Sequence, residues 1–165
     1  MKSKRAQDTI GLSFNWIFAI ILIIIFIFSA IYGIKYFMDI SHCSTVGFAY
    51  DDLQKYVDNA YQSSSTTKDS SLNLPGIKKI CFANLSKPIT GDLDVYKEIN
   101  VYEFEEANVF LFPPKSACEI PFKFIKHINL DKIIEKENPY CIDIEDGEAI
   151  ISIKKDYYDK AVTLQ

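Results

Sequence analysis

The chain has 165 residues, with 18 Lys and Arg against 22 Asp and Glu, for a formal net charge of −4. That length allows one small domain plus an anchor. The acidic balance excludes nucleic acid as a partner, because phosphate binding needs clustered Lys and Arg.

The charge is placed unevenly. Lys2, Lys4 and Arg5 stand against Asp8 in the first nine residues, and the excess of Asp and Glu lies beyond them. From Ile10 to Ile34 no residue is charged. A helix of about 25 residues at about 1.5 Å each reaches roughly 37 Å, enough to cross a hydrocarbon core of about 30 Å with some tilt. Asn15 and Trp16 sit near one end of this run, and Tyr32, Lys35 and Tyr36 near the other. Such residues suit the interfaces of a bilayer, where a Lys can snorkel. A cleaved secretory signal is the competing reading. It calls for an apolar core of about 7–15 residues and a small-x-small cleavage site, whereas this run is longer and Phe28-Ser29-Ala30 fits poorly. The excess of cations before the span predicts a cytoplasmic N-terminus and an exported remainder. Two spaced pairs, Gly11 with Asn15 and Ser29 with Gly33, would let a second helix approach closely, so self-association through the apolar helix joins the lipid bilayer as an expected contact.

Beyond the span the periodicity persists but narrows to a stripe. Val46, Ala49, Tyr50, Leu53, Tyr56, Val57, Ala60 and Tyr61 recur at three- and four-residue spacing, and Asp51, Asp52, Lys55, Asp58 and Asn59 fill the other face. One nearly continuous helix from about Ile10 to Tyr61 is predicted. Residues 63–71 are Ser/Thr-rich without an apolar side chain and read as a linker. Short runs at 77–83, 108–112 and 122–128 read as strands. Runs at 140–144 and 149–153 flank Glu145-Asp146-Gly147, a hairpin signal. Residues 131–137 suggest one or two helical turns, and 162–164 an edge strand.

The expected fold class is therefore α+β, a long N-terminal helix with a transmembrane half and an amphipathic half, packed on a small antiparallel sheet. The expected division is a basic cytoplasmic tail (1–9), a transmembrane helix (10–38), an amphipathic continuation (39–62), a linker (63–75) and an exported β-rich domain (76–165).

Four cysteines, Cys43, Cys81, Cys118 and Cys141, all fall on the expected outer side. An even count in a small exported domain favours two disulfides. Three pairings are open, with the sequential one, Cys43–Cys81 and Cys118–Cys141, as the default. Reduced buried thiols are one alternative, and metal binding or redox catalysis is another, since His42 adjoins Cys43 and His127 lies between Cys118 and Cys141. There is no Cys-x-x-Cys and no paired-His spacing, so no two ligands come preassembled and no metal or cofactor is expected.

No nucleophile elbow, phosphate loop, zinc-protease helix or calcium loop occurs. Two acidic clusters, Glu103/Glu105/Glu106 and Glu145/Asp146/Glu148, suit solvated surfaces better than acid–base work. The aromatics Tyr102, Phe104, Phe110, Phe112, Phe122, Phe124, Tyr157 and Tyr158 suit a core. Asn84-Leu85-Ser86 is an N-glycosylation triplet, with Asn84 as acceptor. No catalytic group emerges, and the expectation is a non-enzymatic envelope protein that is structural or binds an unidentified envelope partner, with a membrane-tethered enzyme as a further alternative.

Lys4-Arg5-Ala6-Gln7, followed almost at once by the apolar helix, resembles the class III signal of archaeal type IV pilin-like proteins. The resemblance implies cleavage between Ala6 and Gln7, with the helix retained in a subunit that assembles into a filament or pseudopilus. It also implies a helix whose outer half packs on an antiparallel sheet. Gly11 stands where bacterial-type pilins carry Glu, a residue that archaeal members often lack, and Asp8 is near it. The Ile/Lys-rich composition and the Asn15-Trp16 pair also look like uncharacterised archaeal single-pass membrane proteins.

Overall fold

A computed structural model describes residues 5–165, with side chains described for 14–38 and 40–165. The candidate processing site at Ala6 and Gln7, and Gly11 with its spacing to Asn15, fall among residues whose side chains lie outside the described ones. The chain divides into two compact units, Met1–Ser41 and His42–Gln165.

The first unit is helix α1, which runs Arg5–Gln62 and continues into the second. From Phe14 to Met38 its large apolar side chains are exposed all round, Leu22 least at 38% and Tyr32 most at 75%. An apolar helix whose large side chains are exposed on every side among the described residues has the kind of surface that suits lipid. It is long and apolar enough to cross a membrane.

The second unit is α+β. After α1 come β1 (Thr66–Asn73), β2 (Lys79–Phe82), α2 (Leu93–Ile99), β3 (Val109–Phe112), β4 (Phe122–Lys123), α3 (Leu130–Ile133), β5 (Tyr140–Asp143), β6 (Glu148–Lys155) and β7 (Thr163–Leu164). They form two antiparallel sheets, ordered β1-β6-β7 and β4-β3-β2-β5. The predicted stripe on α1 is the seam between them. Val46, Ala49, Tyr50, Leu53, Val57 and Ala60 are buried, and they share one core with Leu72, Ala149, Ile151, Ile153 and Leu164 of the first sheet and Ile80, Phe82, Val109 and Leu111 of the second. Tyr56 is half-buried at its margin, and Tyr61 is exposed.

β2 and β3 are buried on both faces. Ile80 and Phe82 point to the α1 side, whereas Cys81 points the other way with Phe110, its cross-strand neighbour. Here Val95 and Ile99 of α2 cover the sheet. Asp92 starts α2: its carboxylate accepts the N–H groups of Asp94 and Val95 at 3.0 and 3.2 Å, satisfying donors that a helix start leaves orphaned. The Val95 N–H bond first, then the bond from the Lys79 ammonium, lowers the Asp92 pKa. Just before it, Gly91 lies against the backbone of Pro139, where a β-carbon would collide.

Three expectations change. The Ser/Thr-rich segment, expected as linker 63–75, contains the eight-residue strand β1, paired along its length with β6. Its alternation was hidden because only Ser70 and Leu72 of its residues are buried, one of them polar. The expected hairpin exists as a turn but not as a strand pair. Asp146 and Gly147 take positive φ (51° and 81°), and Glu145 bridges Glu148, as a tight two-residue turn requires. β5 then leaves to pair with β2 while β6 pairs with β1, so the turn joins the two sheets. The run expected over 122–128 yields only a two-residue strand. The Asn108 side chain takes over beyond it, exchanging hydrogen bonds of 2.8 Å with the Ile125 backbone N–H and C=O.

Leu53 is wholly buried at the centre of the seam. Leu53→Ala should cost about 2–5 kcal/mol through lost transfer energy and a cavity, read by chemical denaturation of the detergent-solubilised chain. Tyr50 is its counterpart: its hydroxyl is buried without a hydrogen-bond partner among the described residues, and burial pushes the phenol pKa far up. Tyr50→Phe should leave stability unchanged or raise it by about 1 kcal/mol, because it removes an unsatisfied group and keeps the ring. Asp92 gives an acid-side test. A lowered folded pKa stabilises above the ordinary value of 3.8 and is lost as pH falls through the folded value. Asp92→Asn keeps the cap without titrating, so its melting-temperature deficit should shrink as pH drops from about 6 to about 3.

Candidate interaction surfaces

All four candidate cysteines pair, and not sequentially. Cys43 bonds to Cys118, and Cys81 to Cys141. The connections therefore interlace along the chain, correcting the default pairing. Topology decides this. Cys81 and Cys141 are directly opposite each other on β2 and β5, with α-carbons 4.0 Å apart. That leaves Cys43, at the entry of α1 into the domain, to Cys118, at the end of the short turn of 3-10 helix Pro114–Ala117. The bonds close loops spanning 75 and 60 residues. Loops of that size make each bond worth up to about 4 kcal/mol through the unfolded chain.

The four cysteines that the metal alternative would use as ligands are taken up in the disulfides. Among the described residues no three of His, Cys, Asp and Glu gather. His42 instead lies against Gly76. His127 sits at the far end of the domain's stretch of α1, stacked on Tyr61 with ring centroids 4.0 Å apart and 3.1 Å from the Asp58 carboxylate. Lys155 completes this cluster: its ammonium donates to the carbonyls of Tyr61 and Ser63 at 2.6 and 2.8 Å and lies over the Tyr61 ring. A cation on terminal carbonyls satisfies acceptors a helix end leaves open. The cluster thus closes α1.

The acidic clusters are spread out and solvated. Glu103, Glu105 and Glu106 are exposed in the turn after α2, around Phe104, which is 97% exposed. Glu145 and Asp146 occupy the turn between the sheets, and Glu148 begins β6. The expected aromatic core is split. Phe110 is buried, and Tyr102, Phe112 and Phe122 pack beside it, whereas Phe124, Tyr157 and Tyr158 face outward with Phe104.

Hollows are modest. One of about 110 Å³ lies between α1 and β1, lined by Tyr56, Asn59, Thr66, Lys68, Ser70 and Ile153. It is well below the roughly 300 Å³ at which small-molecule pockets begin. Another of about 460 Å³ between α3 and β7 gathers Lys132, Glu135 and Lys136, without a Ser, Cys or His on its lining.

β1 is a free edge of its sheet. Leu74 donates to Gly147 in continuation of the β1–β6 register, so Leu72, Ser70 and Lys68 bond to β6. Thr67, Asp69, Ser71 and Asn73 then turn their backbone groups outward. Lys68, on the inward side of the strand, and Asp69 beside it are charges of the kind that discourage edge pairing.

The Asn84-Leu85-Ser86 triplet lies in the loop after β2. This loop is fixed by Asn138, which sequence reasoning passed over. Asn138 is 3% exposed; its side chain accepts the Asn84 N–H at 3.1 Å and donates to the carbonyls of Asn84 and Pro88 at 2.9 and 3.1 Å. Its N–H donates to Thr90. The Asn138-Pro139 pair, followed by an apolar run, reads simply as a turn, and nothing in it announces so many partners.

No protein-family model, curated protein or solved structure matches this chain.

The disulfides generate a direct test. Alkylation without reduction should modify no thiol, and peptide mapping should recover Cys43 with Cys118 and Cys81 with Cys141. Replacing Cys43 and Cys118 together by Ser should lower unfolding stability by about 2–4 kcal/mol.

Proposed function

We propose that this chain is a single-pass membrane-anchored envelope protein with its N-terminus in the cytoplasm and its disulfide-bonded domain outside, acting as a structural or interaction module and not as an enzyme. The observation that carries this reading is the apolar helical surface from Phe14 to Met38, exposed among the described residues, joined to a domain with two disulfides. Lipid removes that surface from water. Disulfides persist where the compartment is oxidising, which is the exported side. The cations before the span orient it the same way. The scattered carboxylates and small or unfurnished hollows favour binding over catalysis. The partner in this reading is another envelope protein.

A second reading is a type IV pilin-like subunit. It draws on the continuity of α1: the helix with the apolar stretch also supplies the seam of an antiparallel-sheet domain. In that reading the apolar surface leaves lipid and becomes the contact between subunits, and Ala6–Gln7 is the processing site.

The mass of the N-terminal peptide of protein purified from its native membrane separates the two. A start at Met1 or Lys2 is expected for the plain anchor. A start at Gln7 would displace that reading in favour of the filament subunit, and a bulky residue at Gly11 should then abolish assembly. Loss of the whole apolar segment from the mature protein would overturn both.

A further inference from the structure

The motif left over by this function is the Asn84 triplet, and its local geometry goes further than its sequence. A glycosylation acceptor needs a side-chain amide nitrogen that is free, reachable and held where an enzyme can engage it. Each requirement can be checked at Asn84.

The Asn84 amide nitrogen, Nδ2, makes no hydrogen bond to the described residues. It is also not among the buried polar atoms without a partner, although Asn84 itself is only half-exposed. It therefore keeps contact with solvent. All the bonds that fix Asn84 use other atoms. Its N–H and C=O are held by the Asn138 side chain, and its carbonyl also accepts the Lys87 N–H at 3.1 Å. Its Oδ1 accepts the Ser86 N–H at 3.1 Å. That last bond draws density from the amide and makes an Nδ2 proton easier to lose. It also brings Ser86, whose side chain is exposed, round to the side of the acceptor. Leu85 between them turns inward against the second core cluster, which leaves the outer face of the turn to Asn84 and Ser86. Among the described asparagines, Asn108 and Asn138 spend their amide nitrogens on backbone carbonyls, and neither begins an Asn-x-Ser/Thr triplet.

We propose that Asn84 is an N-glycosylation site, modified by a transferase that uses a lipid-phosphate-linked sugar as donor. In the step, Nδ2 attacks the anomeric carbon of the sugar and an N–C bond forms. The bond from that carbon to the phosphate oxygen breaks, and its electron pair leaves with the lipid phosphate. One amide proton passes to a base of the transferase. No oxidant or reductant is needed. The inference rests on the exported placement of the domain proposed above, since donor and transferase act on that side of the membrane. The rigid turn would present the sugar on the loop after β2, beside the Lys87–Asp131 ion pair at 2.8 Å.

The test is mass spectrometry of the tryptic peptide containing Asn84, from full-length protein isolated from its native membrane, together with thiol alkylation of the same sample. The expected result is a glycan mass on Asn84 and no free thiol. Asn84→Gln removes the acceptor but also the Oδ1 bond to Ser86, so Ser86→Ala is the decisive variant. The Ser86 hydroxyl makes no hydrogen bond to the described residues, so Ser86→Ala should abolish the modification while both disulfides still form, and Ser86→Thr should keep it. An unmodified Asn84 in protein with both disulfides formed would overturn the proposal and leave the exported anchor standing. An unmodified Asn84 with free thiols would overturn both. A glycan retained in Ser86→Ala would overturn the triplet as its determinant.

Discussion

The domain hangs on one stripe of one helix. Val46, Tyr50, Leu53, Val57 and Ala60 follow each other at spacings of four and three, and both sheets bury their inner faces against that line. Cys43 lies three residues before Val46 on the same line, so its bond to Cys118 fixes the start of the seam as packing fixes the rest. Full burial of a Leu or Val side chain is worth roughly 1.5–3 kcal/mol. A few such positions are comparable to the whole net stability of a small domain, about 5–15 kcal/mol. Without the helix, the two sheets would have apolar faces and no common partner.

The same helix carries two kinds of surface. From Phe14 to Met38 its large apolar side chains are exposed on every side, and from Val46 to Ala60 a buried apolar stripe runs along one. The first pattern is stable where the surroundings are hydrocarbon, the second where one face meets a protein core and the other meets water. The change in pattern along α1 is the one expected of a helix that is long and apolar enough to cross a membrane in its first part and is built into a protein core in its second.

Around the seam, polar side chains finish what strand pairing leaves open. Asn108 takes the place of ladder bonds beyond β4, Asn138 ties the loop after β2 to the entry of β5, and Lys155 occupies the carbonyls at the end of α1. Each serves backbone groups that would otherwise lie unpaired, a cost of about 1–3 kcal/mol per buried group. These residues hold the loops in fixed positions, so that a surface made largely of turns and short strands can be a defined interaction surface.

The sequence by itself determined a helix long and apolar enough to cross a membrane, the stripe, the α+β class and the turn at Asp146-Gly147, because each is a local pattern: a charge-free run, a 3.6-residue period, a change of period, a pair of residues that accept positive φ. It could not determine which strands pair. β5 and β6 are neighbours in sequence and part into separate sheets, and β1 has almost no apolar signal but gains eight pairs from β6. It could not determine the disulfides either, because any of three pairings satisfies the count. Only the tertiary structure placed Cys81 opposite Cys141 and left Cys43 to Cys118. The physical reason is the same in each case. Periodicity is set by bonds within a segment, whereas pairing, crosslinking and the buried roles of Asn108 and Asn138 depend on which distant backbone groups remain to be satisfied once the seam has closed.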